Sequence, residues 1–256
     1  MQTLFTGKPT IHLSSVGSTN IYLKNLCAQK SLNEGYAVTA QEQTHGLGQR
    51  NKSWSSLKGQ NLLCSILFRP TFLRADNSYL LNMISALAVN HLLTEMDIQS
   101  KIKWPNDIYI NDRKCGGILI ENRITGTSIN RSIIGLGLNL NQTDFSMPGL
   151  ETATSAALTK NQKYNIQDVF QRYCQIIESK YLTAKSKPHT IAAKFNASLW
   201  GKNEFRTYIH SNGEETRFKT VEVLLSGELR VMKENGNLQT FKYNDLRPKL
   251  QSSKKH

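Results

Sequence analysis

Two neighbouring apolar stretches constrain this chain most. Asn61 to Phe68 is a continuous apolar run of strand length, ended by Pro70, which cannot donate to a sheet ladder. Ser78 then stands as an N-cap before a segment that is apolar nearly all round as far as Leu93. A fully buried strand beside a helix with almost no polar face requires a layered fold, with the helix lying on a sheet and covered again on its outer side. The helix itself is interrupted by Asn82, Ser85, Asn90 and His91, and no apolar run reaches the roughly 18 to 20 residues of a membrane-spanning helix.

The other elements follow from local signals. A short strand near Ile11 to Ser14 precedes a helix capped by Ser18, whose hydroxyl can accept from first-turn N–H groups, with Ile21, Leu23, Leu26 and Cys27 at partly helical spacing. Tyr36 to Thr44 reads as a strand, and a polar, glycine-bearing loop leads from it to Asn61. Three short strands follow the apolar helix, at Ile102 to Trp104, Asp107 to Ile110 and Cys115 to Glu121, the last two joined at Asn111, Asp112 and Arg113. Ser132 to Asn139 is another strand, and helices are expected over Ile166 to Ala184 and Thr190 to Leu199. Beyond Trp200 the pattern becomes four strands, Phe205 to Ile209, Phe218 to Leu225, Leu229 to Lys233 and Leu238 to Tyr243. Their separators are Asn212-Gly213, Ser226-Gly227 and Asn235-Gly236, and Asn-Gly suits a type I′ hairpin turn. The expected division is a large domain over residues 1–200 and a small antiparallel one over residues 201–256 that leans on it.

With 256 residues, 39% of them apolar, the chain can bury a real core. Met1 to Thr10 lacks a basic segment followed by an apolar one, which argues against secretion. Cys27, Cys64, Cys115 and Cys174 lie far apart without a C-x-x-C pair, which argues against a zinc site and a disulfide framework and for reduced thiols in a cytoplasm. Thirty-two Lys and Arg against 19 Asp and Glu leave a net charge of +13, which invites a nucleic-acid partner. Apart from Lys254 and Lys255, however, the basic residues are spread along the chain, and an acidic protein or a phosphorylated small molecule fits equally well.

Four segments carry candidate chemistry. In Gln43-Thr44-His45-Gly46-Leu47-Gly48-Gln49-Arg50-Asn51-Lys52-Ser53-Trp54 two glycines let the backbone approach a ligand and offer N–H groups to an anion, while Arg50 and Lys52 add charge. The segment is either a phosphate-covering loop or an ordinary flexible one. In Lys103-Trp104-Pro105-Asn106-Asp107, Pro105 interrupts the strands and can aim Asn106 and Asp107 outward. If Asp107 and Cys115 open and close a hairpin, Lys114 returns toward Asp107. The two then share one site, or form a solvated ion pair worth about 0 to 1 kcal/mol. Gly135-Leu136-Gly137-Leu138-Asn139 puts side-chain-free positions in an apolar strand, for a ligand or for a packed helix. Ser18-Thr19-Asn20 serves as a helix cap, or as hydroxyls and an amide for a polar ring.

Together and in this order, Ser18-Thr19-Asn20, the Gly46 to Trp54 loop, Lys103-Trp104-Pro105-Asn106-Asp107, Lys114-Cys115-Gly116-Gly117-Ile118-Leu119 and Gly135-x-Gly-x-Asn139 resemble the biotin protein ligases. The resemblance covers about residues 10 to 140, and the β-rich tail resembles that family's small SH3-like C-terminal β-barrel. It implies an α+β fold like that of class II aminoacyl-tRNA synthetases, a mixed, largely antiparallel sheet flanked by helices. It further implies a ligase that uses Mg2+ and ATP to form biotinyl-5′-AMP, then passes the biotinyl group to a lysine of a biotin carboxyl carrier protein or domain of a biotin-dependent carboxylase. By the same resemblance Lys114 touches the biotin carboxylate and the α-phosphate, and Asp107 orients the incoming amine. Ser18, Thr19, Asn20, Gln43, Gly46, Gly117 and Gly135 would bind biotin. Leu47, Gly48, Gln49, Arg50, Lys52, Trp54, Lys103, Asn106, Gly137 and Asn139 would lie toward ATP and the adenylate. It implies no resident metal site.

The loop departs from the family's Gly-Arg-Gly-x-x-Gly, because Leu47 stands for the Arg and Asn51 for the last Gly. Losing one cation there suggests weaker retention of the adenylate. With about ten residues before the first strand, the DNA-binding arm of some family members is expected to be absent, so the charge points to an acidic carrier rather than to operator DNA. Homodimerisation through an exposed sheet edge stays open. So do two other readings: a lipoate or octanoyl protein ligase of the same fold, and a basic binding module on a ligase-like scaffold.

Overall fold

The computed structural model describes residues 2–49 and 52–249. Arg50, Asn51 and the basic pair Lys254 and Lys255 lie outside the described residues. Along the chain come β1 (Thr10–Leu13), α1 (Thr19–Gln29), β2 (Ala37–Ala40), β3 (Gly46–Leu47), β4 (Ser53–Trp54), β5 (Leu62–Phe68) and α2 (Leu80–Glu95). Then follow β6 (Lys101–Lys103), β7 (Asp107–Ile110), β8 (Arg113–Thr125), β9 (Ser128–Leu138), α3 (Ala156–Lys160), α4 (Ile166–Ser186) and α5 (Pro188–Ala197). The last strands are β10 (Phe205–His210), β11 (Glu215–Val223), β12 (Leu229–Met232), β13 (Leu238–Phe241) and β14 (Leu246–Pro248).

A mixed seven-stranded sheet in the order β1-β2-β5-β9-β8-β7-β6 forms the body. Its β1–β2 pair is parallel and its other ladders are antiparallel. The two apolar stretches behave as their composition demands. β5 is buried at every position and lies in the interior of the sheet. Leu62, Cys64, Ile66 and Phe68 join the main core with α2 and α4, while Leu67 packs with Leu23 of α1 and Val38 on the opposite face. α2 touches the sheet on one side and α4 and α5 on the other, so most of its residues are buried. Truncating a side chain such as Ile66 to Ala would cost about 2 to 5 kcal/mol.

Helix starts differ from expectation in an informative way. Ser18 occupies the N-cap of α1 with extended backbone, but its side chain makes no cap bond. The free N–H of Thr19 goes instead to Gln43 Oε1 at 2.8 Å, which releases the Ser18 hydroxyl. Ser78 does not cap α2. Its backbone is already helical, φ −58° and ψ −23°, because it closes a 3-10 turn over Ala75–Asn77, and Tyr79 is the capping position. Tyr36 to Thr44 shortens to Ala37–Ala40, and the polar loop after it contains the two-residue ribbon β3–β4.

The C-terminal strands form one antiparallel sheet, β13-β12-β11-β10-β14. The expected barrel is not closed: among the described residues β13 and β14 end the ladder unpaired with each other. These end strands have four and three residues, and Pro248 has no N–H to donate. The three glycine hairpins are not type I′, because Gly213, Gly227 and Gly236 have positive φ while the residues before them do not. Each is a type I turn closed by a left-handed glycine, as in Gly213 N–H to His210 O at 3.0 Å followed by His210 N–H to Glu214 O at 2.8 Å. The type I′ pair lies elsewhere, at Asn111 (φ 47°) and Asp112 (φ 60°), between β7 and β8. The C-terminal sheet shares the main core through Tyr208, Phe218, Val223, Leu229 and Val231. Among the described residues no helix is long and apolar enough to cross a membrane.

Candidate active site

The site begins with a break in strand alternation. Asp107 pairs with Gly117 and Ile108 with Gly116, but Tyr109 pairs with Lys114, so Cys115 is the extra residue of a β-bulge. Plain alternation would put Lys114 on the face of Gly116, whose missing side chain points at Ile108 and Leu138 in the core. The bulge moves Lys114 to the face of Asp107 and Gly117. Lys114 Nζ then stands 2.6 Å from Asp107 Oδ1, with about a third of its side chain exposed. Cys115 turns inward, where its Sγ meets the Asn139 carbonyl at 3.4 Å and burial pushes the thiol up to about 12.

The Lys103 to Asp107 segment holds its carboxylate by anchoring its neighbours. Trp104 Nε1 donates to the Gly227 carbonyl at 2.9 Å, and its ring meets Tyr243 edge-on at 5.3 Å, so the C-terminal sheet grips it. Asn106 Nδ2 donates to the Ile118 carbonyl at 2.5 Å while Ile118 N–H returns to Asn106 O at 3.1 Å. Tyr79 OH donates to the Pro105 carbonyl at 2.5 Å. Lys103 Nζ turns aside to Tyr109 OH at 2.9 Å, above the rings of Tyr109 and Trp200, and burial pulls its pKa down to about 8.

Behind the ion pair the sheet is bare. Gly117 of β8 sits directly opposite Gly137 of β9, and the Trp54 indole lies across both. A Cβ at Gly137 would come within 2.6 Å of Trp54 Cζ2, and one at Gly117 within 3.2 Å of Cζ3. Trp54 Nε1 is buried and donates to no described group, and Lys114 Nζ lies 5.7 Å from its ring centroid. Gly46 lets β3 close against β4, since a Cβ there would collide with the Trp54 carbonyl.

The far end is polar and closed. Gln43 Oε1 faces both the N–H and the hydroxyl of Thr19, at 2.8 and 3.0 Å. The Asn20 amide lies over Gly135, where any Cβ would strike its Oδ1, and spans from Ser65 on β5 to Glu121 on β8. Ser65, Gly135 and Leu119 are neighbours across three adjacent strands.

One open cleft, about 730 Å3 with the solvent at its mouth included, joins the two ends. Of the residues singled out in the sequence, Ser18, Thr19, Asn20, Gln43, Gly117 and Gly135 line it, as do Asp107 and Lys114. Leu47, Gly48, Gln49, Lys52, Trp54, Asn106 and Gly137 line it as well. Gly46, Lys103 and Asn139 do not: the Asn139 amide donates to the Thr154 carbonyl at 3.0 Å, holding a segment that pairs with the backbone of Lys114. Arg50 falls outside the described residues. A second groove, between the C-terminal sheet and residues 103–107, carries Lys103 and Arg247 and shares Lys52, Asp107 and Tyr243 with the cavity. Tyr243, Ser65 and Glu121 were not singled out. Ser65 had a signal, a polar residue inside an otherwise apolar buried strand. Tyr243 had none, since its place depends on how the C-terminal sheet meets Trp104.

Residues 13–139, which hold both ends of the cavity, match the Biotin/lipoate A/B protein ligase family. This segment is a domain of that family. The chain's relatives include the bifunctional ligase/repressor BirA of Bacillus subtilis, 32% identical over 184 residues, 71% of this chain and 56% of that protein. Another is the biotin–[acetyl-CoA-carboxylase] ligase of Paracoccus denitrificans, 33% identical over 106 residues, 40% of this chain and 43% of that one. The chain thus spans about half the length of the curated relatives it matches. The ligase fold extends beyond the matched segment: the structure of biotin protein ligase from Aquifex aeolicus in complex with biotin and ATP superposes with a TM-score of 0.79 at 24% identity, covering 95% of this chain and 100% of that one. Lys114, Asp107 and the polar end lie inside the family segment, whereas Tyr243 reaches the cavity from outside it.

Proposed function

We propose that this chain is an ATP-dependent biotin protein ligase, with residues 1–200 as the catalytic domain and residues 201–256 as a small C-terminal one. In the first step a biotin carboxylate oxygen attacks the α-phosphorus of Mg-ATP, giving biotinyl-5′-AMP and pyrophosphate. In the second the ε-amine of a lysine on a biotin carboxyl carrier domain attacks the activated carbonyl, forming an amide as AMP leaves. The observation that carries the reading is the Lys114–Asp107 pair at 2.6 Å, set beside a glycine floor and facing a cavity whose other end is lined with hydrogen-bonding groups.

Each residue has a physical task in this account. Carboxylate and phosphate repel, and the first transition state gathers negative charge, so a cation is needed between them; Lys114 supplies it by exchanging Asp107 for the reacting oxygens. Asp107 then orients the incoming neutral ε-amine and takes the one proton that it sheds as the amide forms. Ser18, Thr19, Asn20 and Gln43 bind the ureido ring, with backbone from Gly46, Gly117 and Gly135. Leu47, Gly48, Gln49, Arg50, Trp54, Asn106 and Gly137 serve the adenylate, Lys52 carries positive charge toward the phosphates, and Asn139 acts from behind by holding the Thr154 segment beside Lys114. Mg2+ enters on the triphosphate as part of the substrate. The Paracoccus relative is named for acetyl-CoA carboxylase, which supports a carboxylase carrier as the acceptor.

The test is pyrophosphate release from Mg-ATP with biotin, with lipoate as the comparison, followed by transfer to an added carrier domain. Release with biotin and labelling of the carrier lysine are expected. Release with lipoate alone would replace this reading by a lipoate ligase, and release with neither acid would remove it.

A further inference from the structure

The polar end of the cavity has a definite hydrogen-bond direction, and it originates at a residue outside the cavity lining. Glu121 is an acceptor, held by Lys24 Nζ at 3.0 Å, with about a third of its side chain exposed. Its other oxygen lies 3.1 Å from the Asn20 amide, and the Leu119 carbonyl lies 3.4 Å from the same amide atom. Two acceptors on one side leave a single orientation for that amide: Nδ2 faces Glu121 and Oδ1 faces Ser65.

The rest follows by counting protons. Ser65 is fully buried and has one hydroxyl hydrogen, with Asn20 Oδ1 at 2.6 Å and Thr19 Oγ1 at 2.8 Å. Both contacts run outward from Ser65: its Oγ donates to Asn20 Oδ1, which cannot donate in return, and faces Thr19 Oγ1 as donor rather than acceptor. The other neighbour of the Thr19 hydroxyl, Gln43 Oε1 at 3.0 Å, is an acceptor. Thr19 therefore directs its one proton to Gln43 Oε1, and it shows the ligand lone pairs alone.

We propose that Glu121 and Ser65 are positioning residues that fix this polarity through Asn20, and thereby set the preference of the site for a ring that presents N–H donors at Thr19, as a cyclic urea does and a dithiolane does not. The claim rests on the biotin ligase reading. It explains discrimination by the asymmetry of buried hydrogen bonds: a site of fixed acceptors loses far more with a ligand that has no donors than a neutral apolar pocket would. It also explains Gly135, the position over which the Asn20 amide passes.

The experiment measures the dissociation constants of biotin and of lipoic acid for the full chain, for Ser65→Ala, for Glu121→Leu and for the double variant, together with the biotin dependence of pyrophosphate release. Each single change is expected to weaken biotin about tenfold, the equivalent of one good hydrogen bond, and to leave lipoic acid within about twofold. Half-saturating biotin rises accordingly while the rate at saturation holds. Because both residues act through one chain, the double variant loses little more than the worse single one. Equal weakening of both acids, or losses that multiply in the double variant, would overturn the proposal. Should Ser65→Ala unfold, the partly exposed Glu121→Leu carries the test alone, and unchanged biotin affinity there is equally fatal. An unaltered chain that binds biotin no better than lipoic acid would instead bring down the ligase reading, and this one with it.

Discussion

The two ends of the cavity are built on opposite principles. At the polar end Thr19 is tied to Gln43 and Ser65, and Asn20 to Ser65, Leu119 and Glu121. At the other end the backbone is stripped of side chains at Gly117 and Gly137, the Trp54 indole rests on the gap with an unpaired N–H among the described residues, and the cation is held by one partly exposed carboxylate. Recognition of a fixed ring rewards preorganisation, since dipoles already aligned cost nothing when the ligand arrives. Chemistry between two anions needs a cation free to change partners, and space for atoms that are present for part of the cycle.

The largest effect should come from the reacting end. Lys114→Ala is expected to lower biotin-dependent pyrophosphate release about 10²- to 10³-fold, with the loss in the rate at saturating biotin rather than in affinity. A loss confined to affinity would make the two ends alike and break the contrast. Next comes Gly137→Ala, whose Cβ would stand 2.6 Å from Trp54 Cζ2. Displacing the indole should weaken ATP about tenfold at saturating biotin, in line with the cost of overpacking, and ATP titration of pyrophosphate release reads it directly.

A third test concerns Lys103, which the structure places in aromatic surroundings beside the site. Burial lowers its pKa from 10.5 to about 8. Between those values the unfolded chain holds the proton and the folded chain does not, so this residue's contribution to stability rises with pH across that window. Below about pH 8 the folded protein carries a buried charge; Lys103→Met should therefore gain most in melting temperature at neutral pH, with the gain shrinking toward pH 10. A pH-independent difference would remove the buried ammonium from the account. The smallest effect is expected from Leu47→Arg, which adds a cation to the loop above the reacting end and should slow dissociation of biotinyl-5′-AMP a few-fold, on the scale of a partly exposed charge contact.

Much of this architecture was legible in the sequence, and the reasons differ by element. The apolar run Asn61 to Phe68 and the helix to Leu93 were readable because burial on all sides leaves no alternative pattern. The approach of Lys114 to Asp107 was readable from the hairpin between them. The bulge at Cys115 that turns Lys114 onto the correct face was not, because one extra residue in a ladder leaves no composition signal. Ser18 read as a cap because the residue type suits that position, yet the distant Gln43 takes the bond, a competition that only the folded chain decides. The hairpin turns were misplaced for a related reason: Asn-Gly permits a type I′ turn without requiring one, and Asn111-Asp112 adopts it under the demands of the β7–β8 ladder. β14 and α3 escaped notice at three and five residues, too short for any periodicity to show.

The most direct test of the account is whether the protein makes a mixed anhydride at Lys114. The chain and its Lys114→Ala variant would be incubated with Mg-ATP and biotin, without any carrier, and the quenched mixtures assayed for biotinyl-5′-AMP by mass spectrometry. The account predicts adenylate in amounts comparable to the enzyme from the unaltered chain and almost none from the variant. Equal adenylate from both, or none from the unaltered chain, would contradict it.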